Sequence, residues 1–332
     1  MNNCPICKYK ETKELLKWKT YSINKCNNCR LIFSTPLPTD IELEEFYQGF
    51  MFKKPEEWKI QELTKKRKKE LIKFFNLPDK AKSLSNKKFL DFGGGTGIVY
   101  NAICELGFDA YYQDLDKGAI TFTVEKFGLT SEKTIYDINK CDIKFDYIFS
   151  DNVIEHVINP YDFLKDLLHQ LEEGGTIVVK TPHASNTESI FNPIITLKGY
   201  FLNALKYNSL QRAAQACFKR FWHCDPPRHL YSFSKNSLSH LMTKIETEKI
   251  DFEILYYKIP WFENTITQQI FTKDKRLKGF KSFLIRLVLL PVIPLEVLLQ
   301  TTQYLFLLMG VLSPGGIILR INKRHITKNK AH

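Results

Sequence analysis

A doubly wound, mostly parallel α/β sheet is the fold class this sequence predicts, and three observations predict it. Short apolar runs alternate with helical stretches between residues 89 and 182. The first run, Lys88–Phe92, ends in a cluster of glycines. The second, Asp109–Asp114, ends in an acid. Strand–helix alternation argues for a sheet covered on both faces. Ligands of such sheets sit at the carboxyl ends of the strands. Two cysteine pairs near the N-terminus add a small module in front.

Further strands are expected at Phe145–Ser150, Gly175–Lys180 and Phe252–Lys258, and helices at Ile41–Tyr47, Glu56–Phe75 and Ser234–Glu246. The chain accordingly divides into five regions: a ribbon at 1–35, a helical basic linker at 36–88, a core at 89–260 with a cap insertion around 183–224, an apolar insertion at 261–315, and a last strand with a basic tail at 316–332.

The 332 residues are 44% hydrophobic and 25% charged, ordinary values for a globular protein. Forty-eight basic and 36 acidic residues leave a net charge of +12. That excess fits an anionic partner or a lysine-rich solvated surface. It gathers in residues 53–88 and in the last sixty. The opening MNNCPICKYK lacks the apolar segment of a signal peptide, so a cytoplasmic chain is expected.

Cys4-x-x-Cys7 is followed after 18 residues by Cys26-x-x-Cys29. The spacing matches a zinc pattern in which each pair grips one side of a tetrahedral ion. Four thiolates fill the coordination shell, so the predicted zinc is structural. Cys104, Cys141, Cys217 and Cys224 have no such pairing.

The glycine cluster reads Asp91-Phe92-Gly93-Gly94-Gly95-Thr96-Gly97, or D-x-G-x-G-x-G. Glycines let a backbone turn sharply and approach a ligand closely. The helix that follows points free N–H groups at that ligand. A dinucleotide fingerprint fails in both registers, because its sixth position falls on Ile98 or Tyr100. Asp114 ends the next strand, where a carboxylate can accept hydrogen bonds from both ribose hydroxyls.

This loop resembles the nucleoside-binding loop of class I S-adenosylmethionine-dependent methyltransferases. Phe145-Asp146-Tyr147-Ile148 with Glu155-His156-Val157 is similar to the family's fourth-strand segment, and Leu171 to Val179 to its L-x-x-G-G turn and fifth strand. The resemblance covers about residues 85–260 and is nearest to the ubiquinone-biosynthesis-like branch. It implies a Rossmann-like sheet with a last antiparallel strand at Gly316–Ile321, and S-adenosylmethionine as cofactor. It implies cofactor contacts from Asp91, Gly93, Gly94, Gly95, Thr96, Gly97, Asp114, Leu115 and Asp151. Asp137, after the third expected strand of the family, would face the adenine amino group, with Ile138 against the ring. His223 to Tyr231 also resembles a segment found after the fifth strand; Thr181-Pro182-His183 departs from the usual Asn after Pro.

Methyl transfer from a sulfonium is an in-line displacement, so positioning dominates and can supply about 7–11 kcal/mol. A hydroxyl acceptor adds a need for a general base, a role that suits histidine. His156 and His229 are the candidates, with His183 behind them; each also fits a structural or surface histidine. An amine or carbanion acceptor would need no base.

Phe283–Leu319 is apolar, broken by Arg286, Pro291, Pro294 and Glu296. Its charge-free part, Val297–Leu312, would make a helix of about 24 Å, short of a bilayer core of about 30 Å. An interfacial or re-entrant helical pair is expected, with a buried helix or a dimer contact as the alternative. Basic clusters on both sides favour an anionic cytoplasmic leaflet.

The expected function is methyl transfer to a small-molecule, sugar or lipid-linked acceptor, as in surface-polysaccharide or glycolipid synthesis. The alternative is an RNA methyltransferase whose zinc ribbon and basic linker grip phosphates. Asp225-Pro226-Pro227-Arg228 lies outside the fourth-strand end, where nucleic-acid amino methyltransferases carry their D-P-P motif, and Arg228 replaces its aromatic.

Overall fold

The computed structural model describes residues 3–48, 54–78, 84–184, 209–245, 250–257, 290–309 and 316–324. Three strands come first, β1 (Thr12–Trp18), β2 (Tyr21–Cys26) and β3 (Ile32–Thr35), then helices α1 (Asp40–Gln48) and α2 (Glu57–Phe75). The core alternates β4 (Lys88–Phe92), α3 (Ile98–Glu105), β5 (Asp109–Gln113), α4 (Lys117–Phe127), β6 (Phe145–Asp151), α5 (Pro160–His169) and β7 (Leu171–Pro182). Beyond it lie α6 (Leu210–Phe221), β8 (Tyr231–Ser232), α7 (Lys235–Met242), β9 (Ile250–Tyr257), α8 (Ile293–Leu308) and β10 (Gly316–Lys323).

Two compact units result. One joins Met1–Thr181, Asp225–Leu255 and Ile317–His332; the other joins Pro182–Cys224 and Tyr256–Gly316.

The first unit holds a six-stranded sheet in the order β5-β4-β6-β7-β10-β9. β4 runs parallel to β5 and β6, and β6 parallel to β7. Thr176 in the middle of β7 donates to Asn322 at 2.9 Å and Lys323 Nζ to the Leu171 carbonyl at 2.6 Å, so the end of β10 lies against the first half of β7, as in an antiparallel pair. Arg320–Glu253 and Arg324–Asp251 ion pairs put β9 antiparallel to β10 in turn. The sheet is mostly parallel with one reversed strand, as expected.

Helix ends follow their capping residues. Asp116 accepts from Gly118 and Ala119 to start α4, and Gly128 ends it at φ 69°. Asn159 and Pro160 start α5, and a Ser234–Ser237 capping box starts α7. Although basic, α2 packs on the sheet through buried Ile60, Leu71, Phe74 and Phe75. The Phe75 ring stands edge-on to Phe89 at 4.9 Å and to Tyr147 at 5.6 Å.

Two local expectations are corrected. No full strand precedes Asp137: that segment pairs with β5 through one parallel bridge, Tyr112 to Thr134. Short 3₁₀ turns at Ser131–Lys133 and Ile138–Lys140 leave too few extended residues between them for a ladder. The Leu171–Gly175 turn lies inside β7 as a bulge, where pairing jumps from Phe145–Leu171 to Tyr147–Thr176. Gly174 takes φ 79° there.

A second sheet, β1-β2-β3-β8, is antiparallel. Its fourth strand comes from far along the chain: Ile32 faces Ser232 and Phe33 faces Tyr231. The ribbon thus shares a sheet with the segment after β7.

In the second unit, α8 starts at Ile293 with Pro294 in its first turn, where proline is tolerated. Leu295, Leu298, Leu305 and Met309 are each more than half exposed. Most of the cap insertion (185–208) and of the apolar insertion (258–289) lies outside the described residues. Among the described residues no helix is long and apolar enough to cross a membrane.

Candidate active site

The glycine loop joins β4 to α3 at the carboxyl edge of the sheet. Gly93, Gly95 and Gly97 take φ 70°, 52° and 67°, a region that L side chains rarely occupy. A Cβ on Gly94 would collide with the Tyr112 ring and stand 2.6 Å from an Asp91 oxygen. Neighbours fix the loop from below. The Gln113 carbonyl accepts from the N–H groups of Gly93 and Gly94 at 2.9 Å each, and the Tyr112 hydroxyl donates to the Gly95 carbonyl at 2.8 Å. Thr96 is half-buried in the turn.

Asp91 is buried, and its Oδ2 accepts from the Tyr100 N–H at 2.9 Å. Tyr100 is the third residue of α3, whose N-cap Gly97 has no side chain to offer, so Asp91 caps the helix from the preceding strand. Burial pushes its carboxyl up to about 8.

Asp114 is tied on both oxygens. Oδ2 accepts from Gly95 N–H at 2.7 Å and Oδ1 from Asp116 N–H at 2.8 Å. Burial raises its carboxyl, and those amides oppose the rise. Each oxygen keeps a lone pair for a hydroxyl donor. Leu115 beside it is 86% exposed, and so is Tyr136 at 67%, next to Asp137. Exposed apolar side chains beside a strand-end carboxylate offer a face for a base ring. Asp137 accepts from the Asn139 N–H and pairs with Lys140, which together lower it. Ile138 is buried.

Asp151 ends β6, where its Oδ2 meets Arg67 Nη2 at 2.8 Å and Lys180 Nζ at 3.2 Å. Arg67 also reaches Glu70 at 2.6 Å. Burial works against charge on Arg67, but Asp151 and Glu70 outweigh it and raise it. Asp151 Oδ1 is buried with no hydrogen-bond partner among the described residues. The end of β6 therefore carries a cation paired with two carboxylates and a buried, unsatisfied carboxylate oxygen. Nothing in the residues around position 67 marked Arg67; only the packing of α2 brings it there.

His156 and His229 are brought together, with ring centroids 4.7 Å apart. His156 Nδ1 lies 2.8 Å from the Arg228 carbonyl. A carbonyl only accepts, so Nδ1 carries the proton and Nε2 is the basic nitrogen of this tautomer. Nε2 lies 3.9 Å from Oε1 of the buried Glu155. Burial pushes His156 down to about 4 and Glu155 up to about 8. Both shifts favour the neutral forms, an imidazole base beside a carboxylic acid. Thr181 donates to Glu155 Oε2 at 3.0 Å. One atom each of Glu155, His156 and His229 lie within 4.8 Å of one another, a donor set that could also hold a divalent cation. His183 belongs to the second unit, where its buried ring meets Tyr256 edge-on at 5.6 Å.

All four sulfurs of Cys4, Cys7, Cys26 and Cys29 lie within 4.8 Å of one another. Cys4–Cys29 and Cys7–Cys26 are 3.6 and 3.5 Å apart. Four thiolates at about 2.3 Å around a tetrahedral ion stand about 3.8 Å apart, so the cluster fits one ion. The two pairs sit on twin turns. Lys8 N–H donates to the Cys4 carbonyl and Arg30 N–H to the Cys26 carbonyl, and both residues are left-handed, at φ 62° and 60°. Amides of Ile6 and Cys7 point at the Cys4 sulfur, and those of Asn28 and Cys29 at the Cys26 sulfur.

A glycine loop at a parallel strand end, a carboxylate closing the next strand and a reversed strand in the sheet define a methyltransferase of the doubly wound class. A family described as a methyltransferase domain matches residues 59–250, more than half of the chain. The chain belongs to that family, and its fold is that of an S-adenosylmethionine-dependent methyltransferase. Curated relatives include a ubiquinone biosynthesis O-methyltransferase of Pelagibacter ubique, 29% identical over 131 residues that cover 37% of this chain and 54% of the relative. The mitochondrial ubiquinone biosynthesis O-methyltransferase of Arabidopsis thaliana is 32% identical over 116 residues, 31% of this chain and 35% of the relative. The chain spans about half or less of the length of these relatives. Solved structures that resemble it include the plantazolicin methyltransferase BamL with S-adenosylhomocysteine (SAH), at 16% identity and TM-score 0.44, covering 86% of this chain and 95% of that one. Phosphoethanolamine N-methyltransferase 2 of Haemonchus contortus follows at 14% and 0.43, covering 78% and 52%.

Proposed function

We propose that this chain methylates a hydroxyl group of a sugar or lipid-linked acceptor, using S-adenosylmethionine, with His156 taking the hydroxyl proton. The observation that carries the reading is His156 itself: its Nδ1–H is held by the Arg228 carbonyl, which leaves Nε2 as the basic nitrogen, and its ring lies 4.7 Å from that of His229. When bound, S-adenosylmethionine supplies an electrophilic methyl carbon. Asp114 would accept from the ribose hydroxyls, Leu115 and Tyr136 would cover the adenine, and Arg67 with Asp151 would hold the methionyl zwitterion. His156 Nε2 would take the acceptor's hydroxyl proton as its oxygen displaces the sulfur at the methyl carbon, so that a methyl ether, SAH and a protonated His156 would result. The names of the O-methyltransferase relatives support oxygen as the acceptor.

The test uses methyl-labelled S-adenosylmethionine in host extracts, with label counted in lipid, sugar, RNA and protein fractions. Label in lipid or sugar supports the reading; label in RNA overturns it. With the labelled fraction as substrate, His156→Gln is expected to lower kcat by about 10²–10⁴-fold. Affinity for SAH should stay within twofold. Because burial depresses His156, the active neutral form persists until pH falls through about 4. The acid limb of kcat is therefore expected below that of an ordinary histidine; a limb that His156→Gln leaves unchanged would remove His156 from the role.

The cysteine cluster is read as a structural zinc site. Helix α8 is read as the contact with an anionic membrane face, because Leu295, Leu298, Leu305 and Met309 recur at helical spacing on one exposed side. Arg320 of β10 and Arg324 just after it do not serve that contact: they pair with Glu253 and Asp251. Leu298→Asp with Leu305→Asp is expected to cut sedimentation with phosphatidylglycerol vesicles at least tenfold. Unchanged sedimentation would leave the apolar side to another contact.

A further inference from the structure

We infer that the cysteine ribbon is the positioning element of the histidine pair, with Ser34 and Ser234 as the positioning residues that connect it. The segment that carries Arg228 and His229 is clamped from two sides. On the ribbon side, β3 pairs with β8, and Ser34 donates to the Leu230 carbonyl from its N–H at 2.9 Å and from Oγ at 3.4 Å. Ser234 Oγ donates to the Cys29 carbonyl, on the second cysteine turn, at 2.7 Å. Lys244 reaches the Ile6 carbonyl on the first turn.

On the opposite side, the Leu230 N–H donates to the Glu155 carbonyl at 2.8 Å, and the Tyr231 hydroxyl to the Ile158 carbonyl at 2.7 Å. Leu230 is fully buried, so its two peptide groups act as a rigid link. One faces the ribbon and the other faces the residue before His156. Two residues upstream, the Arg228 carbonyl fixes the His156 tautomer. A closed turn between Asp225 and His229, with hydrogen bonds of 3.0 and 3.1 Å, transmits any shift of Leu230 to His229.

Among the described residues, none of the hydrogen bonds that hold the glycine loop involves the ribbon. They come from Tyr112, Gln113 and Asp114. Loosening the ribbon therefore moves the histidines and leaves the cofactor site in place. Displacements of about 1 Å in a reacting geometry can cost about 100-fold in rate. The consequence for catalysis rests on the proton role proposed for His156; the coupling itself does not.

The deciding measurement is native-state hydrogen exchange on the full-length protein in rising urea. The Ser34, Leu230 and Tyr231 amides should open together, with one common urea dependence. The amides of Gly93, Gly94 and Gly95 should open separately. Leu230 opening with the glycine loop and not with Ser34 overturns the inference.

A second measurement uses ¹⁵N-histidine protein and the Ser234→Ala/Lys244→Met double variant. Imidazole signals would be assigned with His156→Gln and His229→Gln. Leu230 exchange should rise at least tenfold, the two ring signals should shift, and SAH affinity should stay within twofold. Ser234→Thr should restore the parent spectrum. Unmoved ring signals with faster Leu230 exchange, or affinity lost in step with that exchange, overturn it. If His156→Gln leaves methyl transfer intact while these signals behave as stated, the proton role fails and the coupling stands.

Discussion

Asp114→Ala is expected to weaken binding of SAH by about 100-fold or more in calorimetry. Two charge-assisted hydrogen bonds to ribose hydroxyls are worth about 1.5–3 kcal/mol each, and 100-fold corresponds to about 2.7 kcal/mol. A second effect adds to it, because the same carboxylate holds the Gly95 and Asp116 amides and so shapes the glycine loop. Asp114→Asn keeps a carbonyl oxygen but loses the charge, and should cost about tenfold. The pH dependence has a fixed sign. Burial raises this carboxyl above the ordinary aspartate value, so affinity is lost as pH falls through that raised value and is full above it. An affinity for Asp114→Ala within threefold of the parent would mean that the ribose is held elsewhere.

Cys26→Ser should release the metal and lower the melting temperature by about 10–15 °C. Structural zinc contributes about 10–16 kcal/mol in isolated finger peptides. Here the loss is smaller, since Leu31 and Phe33 of the ribbon pack in one core with Leu230, Tyr231 and Phe233 and retain part of their burial. A loss of about 4–5 kcal/mol matches the stated shift for a domain of this size. Metal analysis should fall from about one zinc per chain to near zero. A metal-free parent with an unchanged melting temperature would instead make the four thiols an ordinary buried cluster.

Much of the candidate cofactor site was legible because its chemistry is local. The glycines, Asp91 and Asp114 lie within 24 consecutive residues, and their spacing reflects one loop and one strand end. The cysteine turns are likewise local, and the spacing alone located all four thiols. Asp91 was legible as a motif residue, while its work as the cap of α3 became visible only with the Tyr100 contact. Tyr112 and Gln113 could have been found by noting that they immediately precede Asp114. Arg67 could not, because a lysine-rich helix gives no sign of which cation turns inward.

The sequence by itself determined the strand–helix alternation, the glycine loop with its strand-end acid, the cysteine pairs and the placing of two histidines near strand ends. Each depends on residues a few positions apart, where periodicity and turn chemistry are strong. Tertiary structure alone decided that Arg67 meets Asp151 and that the strand before Asp137 shrinks to one bridge. It also decided that the ribbon completes its sheet with Tyr231 and Ser232, some two hundred residues away. Pairings over such separations are settled by which buried surfaces and backbone hydrogen bonds can be satisfied together, and no local pattern records that competition.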